Sequence, residues 1–502
     1  MVRLFAACAC SYLVVLAFQP GGQDGEQKQA LALEKTVQKV IEDNDASIAC
    51  VLVSRSDLYG RFGQGPHADY PGKLGAFDGE TLYKNTLFTE LSPAERQKLL
   101  KKLDLAESTS AAQSSGSGLV VDGSGLVLTP YHVVHGAAKI YVTLAGGKGA
   151  YADIYAADPR SDLAVLRLLG PKMQLRAVKF GDGGKVERGQ FVIGMARPQT
   201  SDIRIVKASA SWGIIANLGQ RLPSGEQSEA RLKTIHQYGT LLLTDARVNL
   251  GTSGGVLLNL KGEAVALTTT LAGITGPDAS GSLAIPLDPP LQHIIEILKK
   301  GEEVEYGFLG VSLKPSGKKK TVVLESVTKG SPADQAGLEE NHIILAVEGR
   351  PVYDNDELLR ALAMQMAGAK VRLEVGKTGS TNLTKVEVVL AKLLVSGKLI
   401  ATSPGTRPYF RGLRVDHTSL LVQQPGTAAS EIPRGVLIGD VQPDSAAAKA
   451  DLKPGAVITH VNDRAVATPA AFYEVVVNHK GPVQLTLQAP DIGQPAPKVT
   501  LP

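Results

Sequence analysis

The sequence predicts a mainly β protein built from several small domains, and three observations predict it. Aromatic residues make up only 5% of the chain while glycine occupies 53 of its 502 positions, a balance that suits short strands joined by many turns. No long uninterrupted heptads run through it, so an extended coiled coil is excluded. The last 200 residues also repeat. A shift of 114 positions lays SPADQAGLEENHIILAVEGRPV (331–352) on SAAAKADLKPGAVITHVNDRAV (445–466). A repeat of that length marks two small domains rather than a solenoid. With 43% hydrophobic residues, enough for several cores, the length predicts three or four domains.

At the N-terminus, Arg3 precedes the apolar run LFAACACSYLVVLAF (4–18), which is short for a bilayer span, and polar Gln19-Pro20-Gly21-Gly22 follows. Residues 1–24 are therefore expected to be an export signal, either removed or kept as an anchor. Cys8 and Cys10 lie inside that run. Once it is removed Cys50 is the remaining thiol, so no intrachain disulfide is expected, and its setting in SIACVLV predicts a buried strand. A long excursion follows over about 55–113. Within it Ser92-Pro93-Ala94-Glu95 is a capping box with proline at the first helical position, opening a helix through Leu99, Leu100 and Leu103. Tyr59 to Leu82 shows no clear periodicity.

Three motifs then carry chemistry. TDARVNLGTSGGVLLN (244–259) sets Ser253 among glycines. A serine hydroxyl is a weak nucleophile that needs a base and a pair of backbone N–H groups for the oxyanion, and Gly251 can adopt angles that aim its N–H and that of Ser253 at one point. Alone, the string reads equally well as a glycine-rich turn. Upstream, GSGLVVDGSGLVLTPYHVVHGA (116–137) supplies His132, with His135 as a rival, and DPRSDLAVLRL (158–168) supplies Asp162, with Asp158 as a rival. Each sits where an aliphatic strand meets a turn. In this arrangement the histidine takes the serine proton, the aspartate fixes its tautomer, and neither metal nor cofactor is needed.

These motifs resemble the HtrA (DegP-like) trypsin-type serine proteases. The resemblance implies a chymotrypsin-like double β-barrel over 30–300, carrying the insertion, followed by PDZ-like α+β domains over 304–395 and 405–495. It selects His132, Asp162 and Ser253 as the triad, and Gly251, Thr252 and Ser253 as the oxyanion hole. FGDGGKVERGQFVIGMARP (180–198) and VKASASWGII (206–215) resemble the family's intervening strands. The chain departs from the family pattern at Leu250, Thr252 and Val256, at Pro130-Tyr131, and at Met195-Ala196-Arg197. Arg247 stands six residues before the serine, where cleavage after Lys or Arg needs an acid. The resemblance thus implies cleavage after small aliphatic residues, with Arg247 turned to solvent because a buried unpaired guanidinium would cost several kcal/mol. It further implies that the insertion acts as a regulatory loop blocking neighbouring sites, so deleting 60–88 is expected to raise proteolysis.

Each repeat copy continues into an amphipathic helix, NDELLRALAMQMAG capped by Asp354 with Glu357, and TPAAFYEVVVNHKG capped by Thr468 with Pro469. The copies resemble PDZ domains, which take a peptide as an added strand and hold its C-terminal carboxylate with loop N–H groups. In the first, Tyr306-Gly307-Phe308-Leu309-Gly310-Val311 resembles that loop, with Gly307 to Val311 expected to bind the peptide. The second has Phe410-Arg411-Gly412-Leu413, with arginine at an apolar position. Net charge is only +4, and the densest basic run, Lys318 to Lys320, lacks interleaved aromatics, so no nucleic-acid partner is expected. The resulting expectation is an exported, ATP-independent endopeptidase that degrades misfolded or damaged proteins, binds C-terminal peptides and forms homo-oligomers such as trimers. The alternative is a catalytically silent peptide-binding chaperone or scaffold on a protease fold.

Overall fold

The computed structural model describes residues 21–66, 72–107, 112–171, 173–198, 207–221, 234–247, 253–270, 281–315, 321–377, 382–403, 405, 407–424, 431–489 and 494–502. The apolar part of the export segment and Lys318 to Lys320 lie outside them. Among the described residues no helix is long and apolar enough to cross a membrane.

Helix α1 (Gly21–Asp45) leads into β1 (Ile48–Ser54), whose seven residues are all buried. Cys50 lies in this strand, and burial pushes its thiol up to about 11. Four short helices follow: α2 (Leu58–Arg61), α3 (Gly79–Tyr83), α4 (Thr86–Thr89) and α5 (Pro93–Leu103). Then come β2 (Ser114–Asp122), β3 (Leu126–Pro130), α6 (Tyr131–Val134), β4 (Lys139–Thr143), β5 (Gly149–Asp158) and β6 (Leu163–Leu168). The strands run antiparallel in the order β5-β4-β1-β2-β3-β6, and β6 returns onto β5 to close a barrel. A second closed barrel, in the order β10-β11-β12-β9-β8-β7, comprises β7 (Phe191–Ala196), β8 (Ser209–Gln220), β9 (Leu241–Thr244), β10 (Val256–Leu258), β11 (Ala264–Thr269) and β12 (Ser282–Pro286). One apolar cluster joins the barrels, with Ile48, Leu128 and Val165 from the first meeting Ile193, Val256 and Ile285 from the second. Helix α7 (Pro289–Lys299), capped by Asp288, seals it with Leu291, Ile294, Ile295 and Leu298.

The described residues of the insertion form a folded helical layer. The capping box at Ser92 and Glu95 forms as expected. Tyr59, Phe62, Leu82, Phe88 and Leu103 make a core of their own, and the Tyr59 hydroxyl donates to the Leu103 carbonyl at 2.6 Å. Lys139 on β4 donates to the carbonyls of Leu74, Gly75 and Ala76, while Asp153 on β5 accepts from the N–H groups of Leu74 and Gly75. Deleting 60–88 would remove Phe62, Leu82 and Phe88 from this core together with Leu74.

The C-terminal part repeats its topology. The first copy holds β13 (Gly307–Phe308), β14 (Val311–Leu313), β15 (Val322–Val327), α8 (Pro332–Gln335), β16 (His342–Val347), β17 (Arg350–Pro351), α9 (Asn355–Ala363), β18 (Lys370–Lys377), β19 (Leu383–Val389) and β20 (Ala391–Lys392). A connecting strand, β21 (Ile400–Ala401), comes next. The second copy holds β22 (Leu413–His417), β23 (Val436–Val441), α10 (Ala446–Lys449), β24 (Val457–Val461), β25 (Arg464–Ala465), α11 (Pro469–Val476), β26 (Val483–Leu487) and β27 (Lys498–Leu501). The sheets run β14-β15-β16-β18-β19 and β22-β23-β24-β26-β27. Pairing in the second copy therefore continues past residue 495, to Leu501. The α9 cap at Asp354 and the α11 cap at Thr468 accept from Glu357 and Ala471 as expected.

The connection between the copies is stitched to the first barrel. β21 pairs with β5, Ile400 opposite Ala157, and the Ile400 side chain enters that barrel's core. Nearby, Lys392 (5% exposed) reaches Glu303 at 2.7 Å and Asp416 at 2.8 Å, while Arg407 reaches Asp416 at 2.6 Å and also contacts Glu305. Burial would raise the Asp416 carboxyl, but Lys392 and Arg407 outweigh it and hold it low. These charges tie both copies to the segment leaving α7. Removing one partner of such a group strands the others, so Lys392→Ala is expected to destabilise the protein by about 3–5 kcal/mol. The loss would appear as a lower midpoint in denaturant.

Candidate active site

The elements converge on one cluster where the two barrels meet. β3 ends at Pro130 and turns at once into α6, so His132 projects from a single rigid helical turn. Its Nδ1 lies 2.7 Å from Asp162 Oδ2 and its backbone N–H donates to Asp162 Oδ1 at 2.9 Å, so a single carboxylate fixes both ring and backbone. On the far side Nε2 lies 2.8 Å from Ser253 Oγ. Asp162 is fully buried, Ser253 is 3% exposed and the His132 side chain 24% exposed. Burial alone would lower the imidazole's basicity, but the charge and hydrogen bond of Asp162 outweigh it and raise the pKa above 6.5. With Nδ1–H directed at Asp162, Nε2 is free to accept the serine proton.

The serine is fixed by its backbone. Ser117 N–H donates to the Ser253 carbonyl at 2.7 Å, and Gly254 N–H to the Thr268 carbonyl at 2.8 Å. Gly254 has φ +91°, and a Cβ there would strike the Ser117 carbonyl, so only glycine fits this bend. Gly251 and Thr252, the other two expected oxyanion-hole residues, lie outside the described residues, as does Leu250. Val256 is buried at the start of β10, paired with Met195.

The structure separates the rivals. His135 caps α6 and is exposed, while Asp158 is buried behind the site and accepts from Arg160 N–H, Ser161 N–H and the Ser161 hydroxyl. Arg247 is exposed, as expected. Two further residues brace the site, Arg55 without a sequence signal and Arg197 within the departure noted at 195–197. The Arg55 guanidinium donates to the carbonyls of Val133 and His135, gripping α6 from below. Arg197, 3% exposed, links the barrels through its N–H to Ser117 Oγ and its guanidinium to the Ile48 carbonyl and to Asp45. The departure at Met195-Ala196-Arg197 thus serves packing behind the serine strand.

In the first repeat copy, the carbonyls of Leu309 and Gly310 accept from Ala333 and Thr328 N–H, and Gly310 is left-handed at φ +85°. Gly307 and Phe308 form β13 against β20, and Val311 opens β14, an edge strand whose partner is β15. The second copy has the same layout, with a side-chain hydroxyl set against its edge strand. Val415 on edge strand β22 donates its N–H to the Tyr473 hydroxyl on α11 at 3.3 Å, and Phe472 is fully buried beside it. The residue 114 positions before Tyr473 is Leu359, which has no hydroxyl. Arg411 turns away to donate to the carbonyls of Leu501 and Gly481.

A trypsin-like peptidase domain model matches residues 116–267, and a PDZ domain model matches 323–376. The chain is 31% identical over 382 residues to a probable periplasmic serine endoprotease, DegP-like, of Pseudomonas putida, covering 72% of this chain and 74% of that protein. A Chlamydia trachomatis protein of the same description is 30% identical over 378 residues, covering 73% and 70%. Among solved structures the chain is similar to the HtrA-type protease AlgW with tripeptide, at 19% identity and a TM-score of 0.47, covering 71% of this chain and 97% of that one.

Proposed function

Because the chain belongs to the DegP-like family of serine endoproteases, we propose that Ser253 is its nucleophile, His132 its general base and then acid, and Asp162 the carboxylate that orients the imidazole. The observation that carries this assignment is the continuous chain Ser253 Oγ to His132 Nε2 at 2.8 Å and His132 Nδ1 to Asp162 at 2.7 Å. Attack on a peptide carbonyl passes the serine proton to Nε2. The imidazolium stays beside the buried carboxylate, then returns the proton to the leaving amine. Gly251, Thr252 and Ser253 supply the oxyanion N–H groups in this reading, and no cofactor takes part.

The substrates are unfolded or damaged proteins met after export, residues 1–24 acting as the export signal. The relatives' periplasmic descriptions support that compartment. Homo-oligomers follow from the family alone. Small aliphatic residues precede the cut bond, since exposed Arg247 offers no acidic pocket base. Incubating the protein with an unfolded casein-like substrate tests this. Fragments ending in small aliphatic residues are expected; ends at Lys or Arg would contradict the pocket, and no cleavage by folded protein would favour the silent scaffold.

Peptide C-termini bind the first repeat copy at Gly307 to Val311, adding a strand to the edge of β14. The second copy is a PDZ-like domain that does not bind peptide this way, because the Tyr473 hydroxyl already occupies the N–H of Val415. Calorimetry with an apolar C-terminal peptide is expected to give one site per chain; two sites would contradict the role given to Tyr473.

A further inference from the structure

We propose that Tyr306, at the entry to the first repeat copy, is a positioning residue for the protease: its hydroxyl holds the Asp158 carboxylate, and through it the turn that aims Asp162 at His132. The inference rests on the triad assignment above.

Tyr306 is fully buried, not in its own copy but among Leu163, Val165, Leu298 and Val304 of the core that joins the barrels. Its hydroxyl donates to Asp158 Oδ2 at 2.5 Å. That same oxygen takes the Ser161 hydroxyl at 2.5 Å and the Ser161 N–H at 3.0 Å, and Oδ1 takes the Arg160 N–H at 3.2 Å. The Arg160 guanidinium lies over the Tyr306 ring, 4.9 Å from its centroid. From the other side His236 Nε2 sits 3.0 Å from the Ser161 carbonyl, and burial keeps that imidazole neutral, able to donate. Asp158 thus fixes the two residues immediately before Asp162.

Asp162 needs such fixing. Its φ is +56°, left-handed backbone that a non-glycine residue keeps only where its surroundings over-determine it. Two restraints come from α6, through Tyr131 N–H on its carbonyl and His132 N–H on Oδ1, both at 2.9 Å. The third is the Asp158 turn. Without the tyrosine hydroxyl a fully buried carboxylate oxygen loses one of its three donors, and Ser161, which turns on that oxygen, is free to shift. A displacement of that kind at the orienting carboxylate slows the chemical step and leaves substrate binding alone.

The test uses the full chain with Tyr306→Phe, Asp158→Asn and the double variant, and Ser253→Ala as the blank. Tyr306→Phe keeps the ring and its packing. Its kcat is expected to fall about 10- to 100-fold with KM and thermal midpoint near those of the parent. The double variant should be no slower than Asp158→Asn alone, since both changes cut one relay. The low-field proton resonance of the His132 to Asp162 bond should shift in Tyr306→Phe, which a purely structural role would not produce. Parent-like kcat and an unmoved resonance in Tyr306→Phe, or independent multiplicative losses in the double variant, would overturn the positioning role while leaving the triad intact. No Ser253-dependent cleavage by the parent would overturn both.

Discussion

Ser253→Ala is expected to lower kcat on an unfolded protein by about 10⁶-fold while leaving the fold unchanged. In the proposed mechanism the Ser253 hydroxyl forms the covalent bond to substrate, and its removal leaves His132 with no proton to accept. The side chain is nearly buried yet small, and the bonds that fix this turn, Ser117 N–H to the Ser253 carbonyl and Gly254 N–H to the Thr268 carbonyl, do not involve the hydroxyl. Thermal unfolding of the variant should therefore match the parent. A variant that still cleaves at a measurable fraction of the parent rate, after contaminating protease is excluded, would show that another group attacks.

Asp162→Asn is expected to cost about 10⁴-fold in kcat, because an amide facing Nδ1 favours the wrong imidazole tautomer. The pH profile should move as well. In the parent His132 must be neutral to act, and Asp162 raises its pKa above 6.5 against the opposing effect of burial. Activity therefore falls as pH drops through that raised value. In the variant burial is left unopposed, the pKa falls, and the acid limb of the residual kcat/KM should shift to lower pH. An acid limb that stays in place would mean that Asp162 is not the charge beside the histidine.

The three residues that the structure brings together at the candidate site were legible because each lies on a local strand-turn motif whose glycines and aliphatic residues are contiguous in sequence. Spacing alone leaves Asp158 and Asp162 open, since both occupy one turn, and the choice of Asp162 rests on the resemblance of SDLAVLRL to the family motif. The repeat was legible because its two copies keep a common offset: β15 and β23, α8 and α10, and α9 and α11 each begin 114 residues apart. Within the insertion α5 was legible from its capping box, whereas α2, α3 and α4 were missed for want of periodicity, as helices of four or five residues are shorter than the pattern that marks an amphipathic face. Arg55, Arg197 and Tyr306 act on partners about 80 to 150 residues away, a relation that no local motif records. Strand β21 has two residues, too few to read as a strand, yet it anchors the connection between the copies.

The most direct measurement is labelling of the intact protein with a fluorophosphonate, a reagent that reacts with a serine hydroxyl activated by a neighbouring base, followed by digestion and mass spectrometry. One adduct per chain is expected, on the peptide containing Ser253, with labelling abolished in His132→Ala and strongly slowed in Asp162→Asn. Folded protein that takes up no label, or takes it up at a serine other than Ser253, would contradict the assignment of Ser253 as the nucleophile.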